Sequence, residues 1–183
     1  MSALGDALRD LAGALSGVTW YLFGAQAVAV RGAPRATQDL DVTVLVPRPQ
    51  VPGLVATLLT AGFGHRFPDD AARLVAAAVV PLRHRGGFDV DLVLGASGLE
   101  ALAASRATLV VVEGTAVPVA SATDLVVAKV LAGRGKDEDD VRALLAGGSV
   151  DVTEVLDLLG QLEAALGQSD LVPWFEAARR GGR

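Results

Sequence analysis

The sequence predicts an α/β (α+β) fold, in which a mixed β-sheet is flanked by helices and followed by a helical C-terminal part. Up to about residue 119, short runs rich in Val, Leu and Thr alternate with amphipathic runs of helical spacing. Beyond that point the apolar runs all have helical spacing. We therefore predict two domains, an α/β core of residues 1–120 and a helical region of residues 121–183 packed on it.

The first predicted element is an amphipathic helix over residues 3–15, where leucines recur at helical spacing. Strands are predicted where β-branched residues cluster, and helices where apolar runs follow a glycine or a proline. In chain order these are strand WYLF, helix AQAVAVR, strand DLDVTVLV, a helix at about 52–61, a turn bracketed by Gly62 and Gly64, strands VVPLRHR and FDVDLVLG, a helix at about 98–105, and strands ATLVVVEG and TAVPVA. The glycines at 86–87 predict that VVPLRHR and FDVDLVLG form a hairpin.

The C-terminal part is predicted to be a series of helices. Ser121 to Asp124 match a capping box in front of an apolar run, which predicts a helix over about 122–132. Gly133 and Gly135 are expected to break that helix, and a second one begins near Asp137. Two more helices fit TEVLDLLGQLEAAL and LVPWFEAARR.

The composition excludes several classes of function. With 16 Lys+Arg against 21 Asp+Glu, the formal net charge is -5, which argues against a broad basic face for duplex DNA. The chain has no cysteine, which excludes disulfides, thiol catalysis and cysteine-bound zinc, and suits a reducing cytoplasm. Hydrophobic residues make up 51% of the 183 residues, which is ample for a core and excludes a disordered chain.

Residues 11–30 carry no charge and have the length of a membrane-spanning helix. The turn signal SGVT interrupts this stretch, and Gly24 and Gln26 interrupt its second half. These breaks predict a buried strand and helix instead, and no basic region precedes the first apolar residues as a signal peptide requires. We expect no membrane partner and a cytoplasmic protein.

Two aspartates lie within the strand DLDVTVLV. Successive strand side chains point to opposite faces, so Asp39 and Asp41 share one face while Leu40 and Val42 are buried on the other. Carboxylates about 7 Å apart along a strand repel each other, and a divalent cation between them, Mg²⁺ or Mn²⁺, makes the pair favourable. Alternatively, the acids stand at an exposed strand end and are solvated.

The strand FDVDLVLG repeats this arrangement, because Asp89 and Asp91 also share one face among Val and Leu. If the two strands are neighbours, three or four carboxylates converge at one place, which is difficult to explain without a metal. Sites with two metal ions, which hold the attacking and leaving oxygens of a displacement, have this ligand set.

A glycine precedes the first acid pair at the junction of a strand and a helix, in LFGAQAVAVRG. Gly24 would let the backbone approach a ligand closely, and helix N-termini offer N–H groups and partial positive charge to phosphates. Many strand–glycine–helix turns look the same, so the value of Gly24 lies in its position ahead of Asp39.

These residues resemble the signature of the nucleotidyltransferase superfamily of the DNA polymerase β type. The family pattern is an apolar residue, Gly, Gly or Ser, a spacer, and then Asp-h-Asp/Glu-h, where h is apolar. Here Phe23-Gly24-Ala25 is followed by residues 26–38 and then by Asp39-Leu40-Asp41-Val42. The stretch RATQDLD is similar to the family's R-x-(S/T)-x-D-(I/L)-D, which adds Arg35 and Thr37 as substrate-binding candidates.

The resemblance implies a nucleotidyltransferase-type sheet and a triad of metal-binding acids, Asp39, Asp41 and Asp91. Asp91 in VDLV matches the third acid and lies deeper in the apolar run than Asp89, the rival candidate. Ala25 departs from the pattern, because the family has Gly or Ser at this position. Without a hydroxyl there, we expect a weaker or rearranged contact between the Gly24–Ala25 turn and a triphosphate.

The segment DLVVAKVLAGRGKDEDDVRALL resembles a second motif, found in minimal nucleotidyltransferases that include the AbiEii-like toxin branch, whose relatives such as the MenT toxins modify tRNA. The matching residues are Lys129, Arg134, Lys136, Asp137 and Asp140. The only two lysines of the chain are in this segment, and a lysine is a compact charge suited to a phosphate. Alternatively, Lys129 extends from an amphipathic helix to solvent, and the aspartates favour a helix N-terminus.

The resemblance implies Mg²⁺- or Mn²⁺-dependent transfer of NMP from an NTP such as ATP to an acceptor hydroxyl, with release of pyrophosphate. Asp91 would help to take the proton of the acceptor, Lys129 would neutralise charge on the phosphates, and Arg134, Lys136 and Asp137 would join in substrate binding.

The acceptor stays open between tRNA or protein, as in toxin–antitoxin systems with an antitoxin partner, and a small molecule such as an aminoglycoside. The alternatives are a non-catalytic nucleotide-binding member of a toxin–antitoxin pair and, ranked last, a glycosyltransferase that uses D-x-D, because only 38 residues precede the motif.

Overall fold

The computed structural model describes residues 2–32 and 39–181 of the chain, with the exception of the Lys136 side chain. The predicted binding residues Arg35 and Thr37 therefore lie outside the described residues. The described residues form two compact units, one within 1–26 and 36–120 and the other within 27–35 and 121–183. The predicted domain division at residue 120 stays a prediction.

The first unit contains a β-sheet with helices packed on it. Its elements in chain order are α1 Ala3–Ala14, β1 Thr19–Phe23, the start of α2 Gly24–Val30, β2 Asp39–Leu45, α3 Val51–Thr60, β3 Phe63–His65, α4 Ala71–Ala76, β4 Val79–His84, β5 Asp89–Leu94, α5 Gly98–Arg106, β6 Thr108–Val112 and β7 Thr115–Val119. Helix α2 crosses the boundary between the units, since its residues from Ala27 onward group with the second unit.

In the described residues the sheet is 7-stranded, with the order β3-β4-β5-β2-β1-β7-β6. The pairs β2–β5 and β1–β7 are parallel and the other pairs are antiparallel, so the predicted mixed sheet is confirmed. Strands β4 and β5 form the predicted hairpin. In β2 the side chains of Leu40, Val42 and Val44 are fully buried, and each such burial stabilises the fold by about 1.5–3 kcal/mol.

Helix α1 begins and ends close to the predicted residues 3–15. Ser2 caps it, because its side-chain oxygen accepts a hydrogen bond of 3.0 Å from the Gly5 N–H. The helix contacts α3 and β7, and Leu8, Leu11 and Leu15 are fully buried. The leucine spacing in the sequence therefore marks the face that α1 buries.

The second unit is helical and contains, besides residues from α2, the helices α6 Ala122–Ala132, α7 Gly135–Ala146, α8 Val152–Leu166 and α9 Leu171–Arg180. Helix α6 has the predicted bounds. The Ser121 Oγ accepts a hydrogen bond of 3.1 Å from the Asp124 N–H at its start. Gly133 ends it with a φ of 60°, the left-handed conformation that suits glycine after a helix.

Two local predictions differ from the structure, and one helix has no counterpart among the predictions. Gly64 does not belong to a turn but lies in β3, opposite Arg83 of β4, and only Gly62 has the positive φ of a turn, 99°. Helix α4 was not predicted, because six residues are too few to show a helical period. Gly135 does not break a helix but begins α7, where the N–H groups of the first turn have no intrahelical partner in any case.

No helix within the described ranges is long and apolar enough to cross a membrane. The uncharged stretch 11–30 contains the end of α1, strand β1 and helix α2. The turn and glycine signals in that stretch therefore identified its interruptions correctly.

Candidate functional site

Asp39, Asp41, Asp89 and Asp91 lie together where β2 and β5 run side by side. The parallel register places Asp39 beside Asp89 and Asp41 beside Asp91. On both strands the residue between the two aspartates is fully buried, so the four carboxylates project from the other face. The two strands that carry the acid pairs are therefore neighbours, which was the condition for their carboxylates to converge.

Gly24 lies against Asp41, where β1 leads into α2. Strand β1 pairs with β2 so that Phe23 is opposite Asp41, which brings the next residue close to the Asp41 side chain. A Cβ at Gly24 would lie 1.8 Å from Asp41 Oδ2 and 2.5 Å from its Cγ, closer than any side chain can approach. The φ of Gly24 is 68°, in the left-handed region. Crowding and backbone conformation therefore both require glycine here.

We expect Gly24→Ala to destabilise the protein more than Gly17→Ala does. Both glycines have positive φ, 68° and 80°, and a left-handed conformation costs an alanine about 1–2 kcal/mol. Among the described residues, no atom lies within 4 Å of a Cβ built at Gly17, so Gly17→Ala measures the backbone cost alone. Urea unfolding of the two variants gives the difference, and equal losses would show that Asp41 does not crowd Gly24.

In the part of the chain that the structure describes, two arginines form ion pairs with the acids of β5. Arg66 donates a hydrogen bond of 2.7 Å from Nη2 to Asp91 Oδ1, and its Nη1 lies 3.2 Å from Asp89 Oδ2. Arg83 binds Asp89 with two nitrogens, at 2.5 and 3.0 Å. Arg66 carries no local signal in the sequence, because it is 25 residues from Asp91 and reaches the acids only through the pairing of β3, β4 and β5.

The two acids of β5 differ in pKa. The hydrogen bond from Arg83 is the main reason why the pKa of Asp89 lies below its usual value, with burial opposing it. Burial is the main reason why the pKa of Asp91 is raised, the charges of Asp39 and Asp89 raise it further, and Arg66 offsets only part of this. The raised pKa of Asp91 therefore reflects mainly its burial and only secondarily the neighbouring carboxylates.

Comparison of the sequence with protein-family models and with curated proteins finds no match. The structure is similar to solved structures. One is an antigenic nucleotidyltransferase-like protein from Paracoccidioides brasiliensis, with a TM-score of 0.54 and 18% sequence identity over 97% of this chain and 92% of that chain. The chain has a nucleotidyltransferase fold.

A second structure with this likeness is the antibiotic-resistance factor ANT(2'')-Ia, with a TM-score of 0.55 and 10% sequence identity over 91% of this chain and 95% of that chain. The nucleotidyltransferase fold that the motifs implied is thus confirmed. The AbiEii-like branch within it stays a prediction.

The nucleotidyltransferase fold implies a divalent metal ion, and the acids of β2 and β5 suit one in kind, because Mg²⁺ prefers carboxylate oxygens. Within residues 2–32 and 39–181, no three His, Cys, Asp or Glu side chains are placed so that they could hold an ion as they stand. In addition, Arg66 Nη2 lies 2.7 Å from Asp91 Oδ1. The metal-binding roles of Asp39, Asp41 and Asp91 stay predictions.

Lys129 of the second motif is buried in the helical unit. Its Nζ lies 2.9 Å from Asp137 Oδ1 and 2.6 Å from Asp140 Oδ2. The exposed fractions of the three side chains are 7%, 0% and 5%. Asp137 and Asp140 are one helical turn apart in α7, so both face Lys129 on the neighbouring α6.

Arg134 completes this ion cluster, and its side chain is largely exposed to solvent. Its side chain is 58% exposed, and its Nε donates a hydrogen bond of 2.8 Å to Asp137 Oδ2. The cluster thus consists of Lys129, Arg134, Asp137 and Asp140, four of the five residues of the predicted motif, and their predicted roles toward phosphate stay predictions.

The remaining predicted binding residues have the following places. Ala25 is in the first turn of α2, directly after Gly24. The backbone of Lys136 belongs to α7, while its side chain lies outside the described residues, as do Arg35 and Thr37. Their binding roles also stay predictions.

The Asp137 carboxyl predicts a dependence of stability on pH. Burial by itself raises its pKa, but the hydrogen bonds and charges of Arg134 and Lys129 together hold the pKa below the ordinary value of 3.8. A carboxyl whose pKa is lower in the folded chain stabilises the fold above its unfolded pKa, and this contribution is lost as the pH falls through the folded value.

We therefore expect the free energy of unfolding to fall as the pH drops below about 5 and on through the lowered pKa of Asp137, and to fall less steeply in Asp137→Asn. Urea unfolding at a series of pH values measures both slopes. The same slope in the variant and the parent would contradict the role of Asp137.

Proposed function

We propose that this protein is a metal-dependent nucleotidyltransferase that transfers NMP from an NTP to an acceptor hydroxyl. The proposal is carried by the register that pairs Asp39 with Asp89 and Asp41 with Asp91, with Gly24 against Asp41. Carboxylates gathered on one face of a sheet concentrate negative charge, which a cation stabilises. The whole-chain likeness to a nucleotidyltransferase-like protein supports the same activity.

In this proposal Asp39, Asp41 and Asp91 hold Mg²⁺ or Mn²⁺. When bound, such ions neutralise charge on phosphate oxygens and make a coordinated hydroxyl more acidic. Asp91, which is half-buried on β5, is the acid that takes the proton of the acceptor hydroxyl. The absence of a side chain at Gly24 would let a triphosphate approach the backbone of Gly24 and Ala25 closely.

The proposed reaction is a single displacement at phosphorus. The hydroxyl oxygen of the acceptor forms a bond to the α-phosphorus, and the bond from that phosphorus to the bridging oxygen breaks. Pyrophosphate leaves with the electron pair of the broken bond, and the hydroxyl proton goes to Asp91 and then to solvent. The products are the NMP ester of the acceptor and pyrophosphate.

The experiment that tests this proposal is a transfer assay with each α-³²P-labelled NTP, Mg²⁺ or Mn²⁺, and total tRNA, cell protein or an aminoglycoside panel as acceptor. Labelled acceptor together with pyrophosphate is the expected result. Binding of NTP and metal by calorimetry without transfer to any acceptor would instead favour the non-catalytic nucleotide-binding protein. No binding of either would refute the proposal.

For the acceptor, the resemblance of the second motif to minimal nucleotidyltransferases of the toxin branch favours tRNA or protein, and an antitoxin partner with it. A cationic small molecule is the second candidate. It is favoured by the excess of acidic residues, which gives the net charge of -5, and by the likeness to an antibiotic-resistance factor. The acceptor panel separates the two, because each labelled product has a different size and charge.

A further inference from the structure

Arg66 is held beside the acid cluster by the backbone of the sheet. It follows β3 directly, and its N–H donates a hydrogen bond of 3.0 Å to the Pro81 carbonyl of β4. Pro81 is in turn the register partner of Asp91 on β5. The backbone of Arg66 is therefore fixed at the level of Asp91, and its side chain needs only to extend across β4 to reach that carboxylate.

The guanidinium of Arg66 binds both acids of β5 with separate nitrogens. Nη2 lies 2.7 Å from Asp91 Oδ1, and Nη1 lies 3.2 Å from Asp89 Oδ2. The Arg66 side chain is only 21% exposed, so these contacts are partly shielded from solvent and from salt. Arg66 thus places a permanent positive charge on the third acid of the predicted metal triad.

The same guanidinium is incompletely satisfied. In the described part of the chain, Arg66 Nε is buried and has no hydrogen-bond partner. A buried donor without a partner opposes the conformation that buries it. The side chain is therefore held by its ion pairs with the two carboxylates and by the contact of its guanidinium with the Phe67 ring, whose centroid lies 5.4 Å from Arg66 Cζ. Weakening its attraction to the carboxylates should release it.

We propose that Arg66 is a resident counter-cation of Asp91 that competes with a divalent metal ion for this carboxylate. This inference rests on the proposed function, since it takes Asp91 as a metal ligand. The contested group is the Asp91 carboxylate, whose Oδ1 accepts the Arg66 hydrogen bond and whose negative charge a metal ion would need. Two cations next to one carboxylate repel each other, so metal binding requires Arg66 to withdraw.

Arg83 provides a matched control for this competition. It also pairs with an acid of β5, but with Asp89 and not with Asp91, and its side chain is 60% exposed. Substitution of Arg83 therefore removes one positive charge next to the acids of β5 and leaves the ion pair between Arg66 and Asp91 intact.

The test is a Mn²⁺ titration followed by electron paramagnetic resonance of the free ion, with the parent protein, Arg66→Gln and Arg83→Gln. We expect Arg66→Gln to bind Mn²⁺ about tenfold more tightly, equivalent to 1.4 kcal/mol, and Arg83→Gln to stay within about twofold of the parent. Unchanged or weaker binding in Arg66→Gln, or equal tightening in both variants, would overturn the competition.

The titration also separates this inference from the proposed function. If the parent and Arg66→Gln bind Mn²⁺ equally well and Asp41→Asn abolishes binding, the competition is wrong and the metal site stands. If none of these proteins binds Mn²⁺, the metal site fails and the competition fails with it.

A second measurement does not depend on the folding of Arg66→Gln. In the ¹⁵N-labelled parent protein, the Nε–H signal of Arg66 can be assigned by its absence in Arg66→Lys. We expect saturation with Mg²⁺ to shift or broaden that signal as the guanidinium leaves Asp91. A signal that stays unchanged while Mg²⁺ saturates the site would overturn the proposal.

Discussion

Replacement of Asp41 by asparagine is expected to lower the rate of NMP transfer by about 10³-fold. The asparagine keeps the shape of the side chain next to Gly24 but removes the charge that would hold a metal ion. Stabilisation of transition-state charge by a metal is worth several kcal/mol, and each 1.36 kcal/mol changes a rate tenfold. Asp39→Asn is expected to have an effect of the same order, and the labelled-NMP assay measures both.

The matched control is Asp157→Asn, which removes one carboxylate from an exposed position on α8. We expect it to stay within about twofold of the parent rate, because exposed substitutions away from a site have small effects. If folded Asp41→Asn kept more than about a tenth of the parent rate, the assignment of Asp41 as a metal ligand would be wrong.

Asparagine variants of Asp91 and Asp89, measured in the same labelled-NMP assay, decide which of the two is the third acid. Asp89 is bound by two arginines, and Arg83 binds it with two nitrogens, so its charge is already compensated. In the described residues Asp91 forms an ion pair with Arg66. We therefore expect Asp91→Asn to lose as much activity as Asp41→Asn and Asp89→Asn to lose much less, and the reverse order would assign the role to Asp89.

Replacement of Lys129 by methionine is expected to destabilise the protein by about 3–5 kcal/mol. Methionine fills a similar volume but leaves Asp137 and Asp140 without the ammonium group that each of them binds. Both carboxylates are almost fully buried, so water replaces the lost interaction poorly. Urea unfolding at neutral pH measures the loss.

Arg134→Ala serves as the control for Lys129→Met, because it also removes an ion pair with Asp137. The Arg134 side chain is 58% exposed, and exposed ion pairs contribute only about 0–1 kcal/mol. Combining Lys129→Met with Asp137→Asn and Asp140→Asn should recover part of the stability, since no buried charge is then left uncompensated. A loss in Lys129→Met no larger than that in Arg134→Ala would contradict a structural role for Lys129.

The Lys129 variant also tests the role toward phosphate that the second motif implied. If folded Lys129→Met binds NTP as tightly as the parent protein does, the lysine acts through the stability of the helical unit. If it folds normally and loses NTP affinity, the predicted contact with the phosphates gains support.

The sequence by itself determined the features that depend on near neighbours in the chain. The alternation of aspartate with valine and leucine predicted two strands that each present two acids on one face, because the side-chain period of a strand is local. The bounds of α6 followed from Ser121 and Gly133 in the same way, since capping involves only adjacent turns. The β4–β5 hairpin followed from the glycine turn between its strands.

The tertiary structure alone decided which of these elements meet. The parallel pairing of β2 with β5 joins segments about fifty residues apart, and the register that aligns Asp41 with Asp91 follows from the packing of the whole sheet. Arg66 reaches Asp91 only because β3, β4 and β5 are adjacent. The two carboxylates that surround Lys129 come from a different helix, so its burial depends on how α6 and α7 pack, which no local pattern of charge and hydrophobicity specifies.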